Sequence, residues 1–276
     1  MRTSWSPEEL IDCWTLVEDN WRLVGNKTGA TRLGFSVMLK HFELEGRFPE
    51  QAAEIPQVVV DYMASQVKVD SSRFPKYDWP GRTGRYHRAQ IRKAFGFREC
   101  TEADLEDLAS WLAEEVCPVE LSRDRLREAL AAHCRAERLE PPASGQVGRV
   151  VGSGVRRFEE GFCQRALSAV PEDAARRLEE LVADDQVAGD PAVVGGEKLS
   201  LLAELKADPG EIGLETFLSE VDKLDRVRSL ALPGDLFAHV SERVATAWRD
   251  RAAKAYPSDL RASPRAVRLT LLAAFC

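Results

Sequence analysis

Hydrophobic positions recur along the chain with the spacing of amphipathic helices, and no segment alternates in the way that predicts a β-strand. The first helix is predicted to begin after Ser6, because Ser6-Pro7-Glu8-Glu9 offers an N-cap serine, a proline at the first helical position and a glutamate at the third. The apolar side of this single helix is expected to consist of Leu10, Trp14, Val17 and Trp21. The glycines of 25–29 then end it.

A second helix is predicted over about 31–45, and its apolar residues lie on almost every side. It is therefore expected to be central and mostly buried. Gly34 lies within this helix, although glycine costs about 1 kcal/mol of helix propensity relative to alanine. Close packing against a neighbouring helix would explain a glycine at this position. The segment 46–49 ends this helix, and Ile55-Pro56 opens a third that continues to Val67.

Helical patterns continue to the end of the sequence and predict an all-α, multi-helix fold of about ten to thirteen helices. The further helices are predicted at 82–94, 101–116, 122–138, 146–169, 172–185 and 214–224, around Phe237, Val240, Val244 and Trp248, and at 267–275. The linker 139–145 contains two prolines and a glycine, and a second break spans 189–196. Two helical domains are expected, 1–140 and 141–276. Because the last apolar helix stops at Cys276 without a cap, the second domain is expected to be truncated there.

Composition narrows the class of protein. Hydrophobic residues make up 44% and charged residues 30% of the chain, which is a globular balance. No apolar run is long enough for a membrane span or a signal peptide, so a cytoplasmic protein is expected. The six cysteines are too far apart for a zinc or redox motif, and buried free thiols are expected. No metal ligand, cofactor or catalytic residue is predicted. The 25–29 loop lacks a phosphate-loop spacing, and Gly152-Ser153-Gly154 lacks a preceding strand.

The net charge of −7 hides one strongly basic segment. Residues 71–98 contain eight lysines and arginines and a single acid, Asp78, whereas 99–143 contain five basic and twelve acidic residues. A local basic segment of this kind is typical of an anion-binding face. The alternative is a solvated loop and helix.

The basic helix at 82–94 places its cations together. At 100° per residue, five cations fall within an arc of about 140°. They are Arg82, Arg85, Arg88, Arg92 and Lys93. Ile91, Ala94 and His87 fall on the opposite side, with Gln90 and Tyr86 between the two sides. His87 is expected to be a core histidine. The cationic face favours phosphate binding, because arginine offers forked donors. The alternative is a face that forms salt bridges with the acidic 99–140 segment.

Further basic residues extend this hypothesis. Arg73, Lys76 and Arg98 are expected to continue the basic track, and Arg149, Arg156 and Arg157 form a weaker candidate after the linker. All eleven are predicted DNA-binding residues, and the first eight form the principal site.

Several motifs resemble the N-terminal region of Tn3-type replicative transposases. They begin with Thr31-Arg32-Leu33-Gly34-Phe35-Ser36-Val37-Met38-Leu39, Gly46-Arg47-Phe48-Pro49, Ile55-Pro56 and Tyr62-Met63-Ala64-Ser65-Gln66-Val67. They continue with Gly81-Arg82-Thr83-Gly84-Arg85-Tyr86-His87, Ile91, Gly96-Phe97-Arg98, 139–142, 199–205, Asp225-Arg226-Val227-Arg228 and 271–275. The resemblance covers nearly the whole chain, and the order and spacing of these pieces are more specific than any one of them.

The resemblance implies a DNA-binding function. In this family the N-terminal helical region recognises the terminal inverted repeats of the transposon, and a separate RNase-H-like domain with three metal-binding carboxylates cuts DNA. That domain is expected to be absent here, so the chain is predicted not to be an enzyme. Double-stranded DNA is the expected partner, together with a full-length transposase or a second copy of the chain, and the bound protein would be nucleoid-associated. The alternative is a helical protein-interaction or regulatory module that does not bind DNA.

Overall fold

The computed structural model of the protein describes residues 4–183, 201–211 and 213–276. These residues contain fourteen α-helices and no β-strand, which confirms the predicted all-α fold. One isolated β-bridge joins the backbones of Arg98 and Leu139. The chain forms two compact units: Met1–Leu108 with Arg127–Val150, and Ala109–Leu126 with Val151–Cys276. The domain limits predicted from the sequence, 1–140 and 141–276, remain a prediction.

The helices are numbered in chain order. The first five are α1 Pro7–Trp14, α2 Glu18–Val24, α3 Gly29–Glu45, α4 Gln57–Val67 and α5 Arg82–Phe95. The next three contribute residues to both units and are α6 Glu102–Trp111, α7 Arg123–Ala136 and α8 Ser144–Ala169. The last six are α9 Glu172–Glu180, α10 Leu201–Lys206, α11 Leu214–Ser229, α12 Glu242–Lys254, α13 Pro257–Ala262 and α14 Arg265–Phe275. Short 3₁₀ segments cover Ala52–Glu54 and Ser71–Lys76, and a π-helical turn, Leu112–Val116, follows α6.

The prediction of one helix from Ser6 to Trp21 is wrong, although its start is confirmed. Ser6 and Glu9 form the predicted reciprocal cap. The helix ends at Trp14, because Gln66 of α4 donates to the Trp14 carbonyl at 3.0 Å and accepts from the Leu16 amide at 2.9 Å. These two bonds satisfy backbone groups that would otherwise continue the helix. Val17, expected in the apolar side, is more than half exposed.

Helix α3 is the centre of the first unit, as predicted. Residues 33–42 are all buried, and Gly46 ends the helix in the left-handed conformation at φ 70°. Gly34 packs directly against Tyr77: a Cβ atom at this position would lie 2.2 Å from the ring Cγ. The close packing expected from the sequence is therefore present, and its partner is an aromatic side chain that follows a 3₁₀ segment.

Helices α6 and α8 also begin close to their predicted positions. Thr101 and Asp104 cap the start of α6 through two side-chain-to-backbone hydrogen bonds of 2.8 and 3.3 Å. Helix α8 begins at Ser144, two residues before the predicted start of 146, and the Glu50 carboxylate accepts from the Ser144 amide at 2.9 Å. Burial and hydrogen bonding therefore continue through the linker, since Leu139 is 3% exposed.

In the second unit, α14 packs against α12 and α9, and Leu269 to Ala274 are buried. The predicted helix around Phe237 to Trp248 is shorter than expected: Ser241 caps it and it begins at Glu242. Helix α11 exists as predicted, but none of its residues is buried. The predicted break at 189–196 lies outside the described residues.

Candidate nucleic-acid interface

Helix α5 holds five of the eleven predicted cations, and glycines shape both its ends and its inner face. Gly81 precedes the helix, and Gly96 ends it in the left-handed conformation at φ 72°. Gly84 faces inward: a Cβ atom there would lie 2.1 Å from the Trp79 carbonyl oxygen. The loop before α5 therefore folds back onto the helix at a distance that only glycine allows.

His87 and Ile91 form the buried side of α5, as expected from the sequence, whereas Ala94, which was expected beside them, is exposed. His87 is 4% exposed, its Nδ1 forms a 2.7 Å hydrogen bond with the Tyr77 hydroxyl, and its ring lies edge-on to Phe35. Burial, with the nearby charge of Lys27, lowers the His87 pKa to about 4. The ring is therefore neutral near pH 7 and has a packing role.

Six of the eight cations predicted for the principal site form no ion pair with any residue that the structure describes. They are Arg73, Lys76, Arg82, Arg85, Arg88 and Lys93. Five of the six are exposed, and Arg88 is partly buried. The Arg85 and Arg88 guanidinium groups donate at 3.2 Å to the carbonyl oxygens of Pro80 and Trp79, respectively. Because carbonyls carry no net charge, these contacts orient the two arginines without neutralising them.

Arg92 and Arg98 have carboxylate partners. Arg92, whose side chain is only 14% exposed, contacts Glu140 at 2.5 Å and Glu99 at 3.1 Å. Burial raises the pKa of Glu140, and the bonds to Arg92 oppose that shift. Arg98 forms a bidentate pair with Asp104 at 2.6 and 2.7 Å and thereby lowers the Asp104 pKa. The salt-bridge alternative thus describes these two arginines, and their participation in DNA binding remains a prediction.

The exposed side of α5 includes two residues outside the predicted cationic set, Tyr86 and Ala89. Arg82, Tyr86, Ala89 and Lys93 follow one another at helical spacing, directly opposite the buried His87 and Ile91. Tyr86 is 66% exposed. Helical angles place Tyr86 beside the cationic arc, but that arc includes only charged residues. Defining the outer face as the side opposite the buried residues would have found it.

A cleft of about 560 Å³ lies beside α5 in the first unit. Arg47, Arg85, Arg88 and Arg92 line it together with Glu50, Glu99 and Glu140. Arg47 is paired with Glu54 at 3.0 Å, and Arg92 with two of the lining glutamates. Arg85 and Arg88 are therefore the cleft cations that remain available to an anion.

The three basic residues predicted after the linker are placed differently. Arg149 is exposed and belongs to the first unit, whereas Arg156 and Arg157 belong to the second. Arg156 is exposed and Arg157, half-buried, donates to the Ser110 hydroxyl at 2.8 Å. The three residues are thus divided between the two units, and their role in binding remains a prediction.

The described residues contain no group of three or more histidine, cysteine, aspartate or glutamate side chains that could hold a metal ion. All six cysteines are free thiols, and Cys117, Cys134 and Cys163 are buried. In the described part of the chain, no helix combines the length and the apolar character required to cross a membrane.

Comparison with known proteins agrees with the motifs. Residues 1–154 match the family described as "Domain of unknown function (DUF4158)". The chain is also 22% identical, over 256 residues, to the transposase for transposon Tn501 from Pseudomonas aeruginosa. That match covers 92% of this chain and 25% of the relative, so the chain spans a quarter of the relative's length. The chain belongs to the DUF4158 family, and both findings support the resemblance to the N-terminal region of a Tn3-type transposase.

Proposed function

We propose that this chain binds double-stranded DNA at the terminal inverted repeats of a transposon, as the non-catalytic N-terminal portion of a transposase. The observation that supports this most directly is the outer face of α5. It presents cations without carboxylate partners among the described residues, and the helix itself contains no acidic residue. The similarity to a transposase gives the coarser part of the proposal, a role in transposition.

The charge arrangement explains how an acidic protein can bind a polyanion. Like charges three or four residues apart on a helix repel one another by a few tenths of a kcal/mol per pair. In α5, Arg82, Arg85 and Arg88 have this spacing, and none of them forms an ion pair with a described carboxylate. Phosphates would supply the missing negative charge, and the forked guanidinium groups suit phosphate oxygens. Asp78, the one acid of the basic segment, accepts instead from the Gly81 amide at 3.1 Å.

The test is a titration of the full chain with duplex DNA at several salt concentrations. The duplexes are the ends of the transposon that encodes the protein and a scrambled sequence of equal length. If four to six phosphates are neutralised, log affinity should fall against log salt with a slope of about −4 to −5. Binding of the repeat should exceed that of the scrambled duplex.

Two variants make the test specific. Arg85→Ala should lower affinity and reduce the slope by about 0.9, the share of one phosphate. Arg22→Ala is the matched control, because it removes the same charge from an arginine that Glu18 and Asp19 already neutralise at 2.9 and 3.2 Å. It should leave both quantities unchanged. Absence of binding to either duplex at low salt rejects the proposal.

One observation favours the alternative of a protein-interaction module. Helix α11 exposes a line of large apolar side chains, with Leu214 at 75%, Phe217 at 64% and Leu224 at 59% exposure. Exposed apolar patches often mark protein contacts. Sedimentation of the chain without DNA distinguishes the two functions: self-association that Phe217→Ser abolishes, together with no affinity for either duplex, supports the interaction module.

A further inference from the structure

We infer that α5 lies in the major groove of DNA, and that Tyr86, Ala89 and Gln90 select the base sequence while Arg85 and Arg88 hold phosphates. This inference rests on the proposed function and assigns separate tasks to two sides of one helix. None of the three base-selecting residues belongs to the cationic set predicted from the sequence.

The shape of α5 fits this placement. Its fourteen residues make a rod about 21 Å long, and a major groove about 12 Å wide accepts one α-helix. One side of the rod is fixed in the protein by Gly84, His87 and Ile91, all buried. The opposite side is free of acidic residues along its whole length, so nothing on the helix repels the phosphates that border the groove.

The chemistry changes along the exposed side. Cations stand at its two ends, Arg82 and Lys93, and the middle is occupied by uncharged Tyr86 and Ala89. Arg85 and Arg88 lie to one flank, where their bonds to the Pro80 and Trp79 carbonyls hold them. Phosphate contacts position a protein on DNA, and base contacts specify the sequence. Cations at the ends and flank with uncharged groups in the middle match that division.

Gln90 supplies the most specific observation. Its amide oxygen is buried, and no hydrogen-bond partner is found for it in the described part of the protein. A buried acceptor without a partner is unfavourable, so a ligand that pairs with it is favoured. Glutamine pairs bidentately with the N6 and N7 atoms of adenine in the major groove.

The surroundings of Gln90 also favour a contact with thymine, the base that pairs with adenine. A hollow of about 610 Å³ is lined by Leu23, Tyr86, Ala89, Lys93 and Ala94 beside this amide. Most of these groups are apolar, and apolar contact is how proteins recognise the thymine methyl group. We therefore expect the bound sequence to contain an A·T pair opposite Ala89 and Gln90.

The test begins with selection of duplexes from a randomised library by the full chain. The wild-type protein should enrich sequences with at least one fixed A·T pair. Gln90→Ala should lose the preference at that pair by about 10- to 100-fold, the value of one bidentate contact, with the scrambled-duplex affinity and the salt slope unchanged. Arg85→Ala should weaken binding to all duplexes alike and leave the selected sequence the same.

Modified bases remove the same contacts without changing the protein, so a folding defect cannot cause their effect. Uracil in place of the preferred thymine removes one methyl group, and 7-deazaadenine removes the N7 acceptor. Each should weaken wild-type binding several-fold. The 7-deazaadenine substitution should have no further effect on the Gln90→Ala protein, because Gln90 supplies the contact to N7. Ala89→Leu, a change at an exposed position, should also abolish the preference by filling the space next to the groove.

The outcomes separate this inference from the proposed function. Duplex binding with the same selected sequence in the wild type, Gln90→Ala and Ala89→Leu overturns the inference and leaves the proposed function standing. Duplex binding without any sequence preference overturns the inference and also the binding of inverted repeats, and leaves only general affinity for duplex DNA. Failure to bind any duplex at low salt overturns both.

Discussion

Arg92 and Arg85 lie on the same helix and should respond very differently to truncation. Arg92 is 14% exposed and contacts Glu140, itself 19% exposed, at 2.5 Å. Arg85 is exposed, donates to the Pro80 carbonyl, and pairs with no carboxylate among the described residues. Arg92→Ala therefore leaves a mostly buried carboxylate without its cation, whereas Arg85→Ala removes a solvated side chain.

The size of the difference follows from burial. Removing one partner of a fully buried ion pair costs about 3–5 kcal/mol, and exposed pairs are worth about 0–1 kcal/mol. Because both side chains of the Arg92–Glu140 pair are about four-fifths buried or more, we expect Arg92→Ala to cost about 2–4 kcal/mol of unfolding free energy. Arg85→Ala should stay within about 0.5 kcal/mol.

The pH dependence gives a second signature. Burial already raises the pKa of Glu140, and its bonds to Arg92 restrain that rise. Without Arg92 the pKa should rise further, so the folded variant binds a proton at a pH where the unfolded chain does not. Its stability should consequently increase relative to wild type as the pH falls from about 7 to about 5.

The assay is urea unfolding followed by circular dichroism at both pH values, with Glu140→Gln combined with Arg92→Ala as the matched control. A neutral amide needs no cation, so the double variant should recover much of the lost stability and lose the pH effect. If Arg92→Ala matches Arg85→Ala within about 0.5 kcal/mol at both pH values, Glu140 is solvated and the reasoning is refuted.

Three further predictions follow from the same structure. Gly34→Ala should destabilise the protein by about 1–3 kcal/mol in urea unfolding, because its methyl group overlaps the Tyr77 ring and helix propensity returns only about 1 kcal/mol; an unchanged midpoint contradicts the packing. Lowering the pH from 6.5 to about 4 should remove on the order of 3 kcal/mol through His87, since the unfolded ring takes up a proton that the folded ring, with its lowered pKa, does not; His87→Gln should show a flatter profile, and parallel profiles would exclude this cause. In cells that contain a full-length transposase for the same ends, excess chain should reduce transposition by occupying those ends, and Arg85→Ala with Arg88→Ala should restore it; undiminished transposition at saturating levels argues against occupancy.

The sequence determined the features that depend on neighbouring residues. The Ser6 cap, the stop of α3 at Gly46 and the buried line of His87 and Ile91 were all predicted, because each follows from local backbone geometry or from helical period. The same periodicity marked α11 as a helix. It did not indicate that the apolar side of α11 would be exposed, since period identifies an apolar side and not what covers it.

Tertiary structure decided the features that join distant parts of the chain. The first helix ends at Trp14 because Gln66, some 50 residues away, bonds to the backbone there. Arg92 is unavailable to an external anion because it pairs with Glu140, which lies 48 residues further along the chain. By helical angle, Arg85 and Arg92 are equivalent members of one cationic arc. Only the path of the chain brings Glu140 to one of them and leaves the other facing solvent, because an ion pair depends on distance in space and the periodic pattern records distance along a single helix.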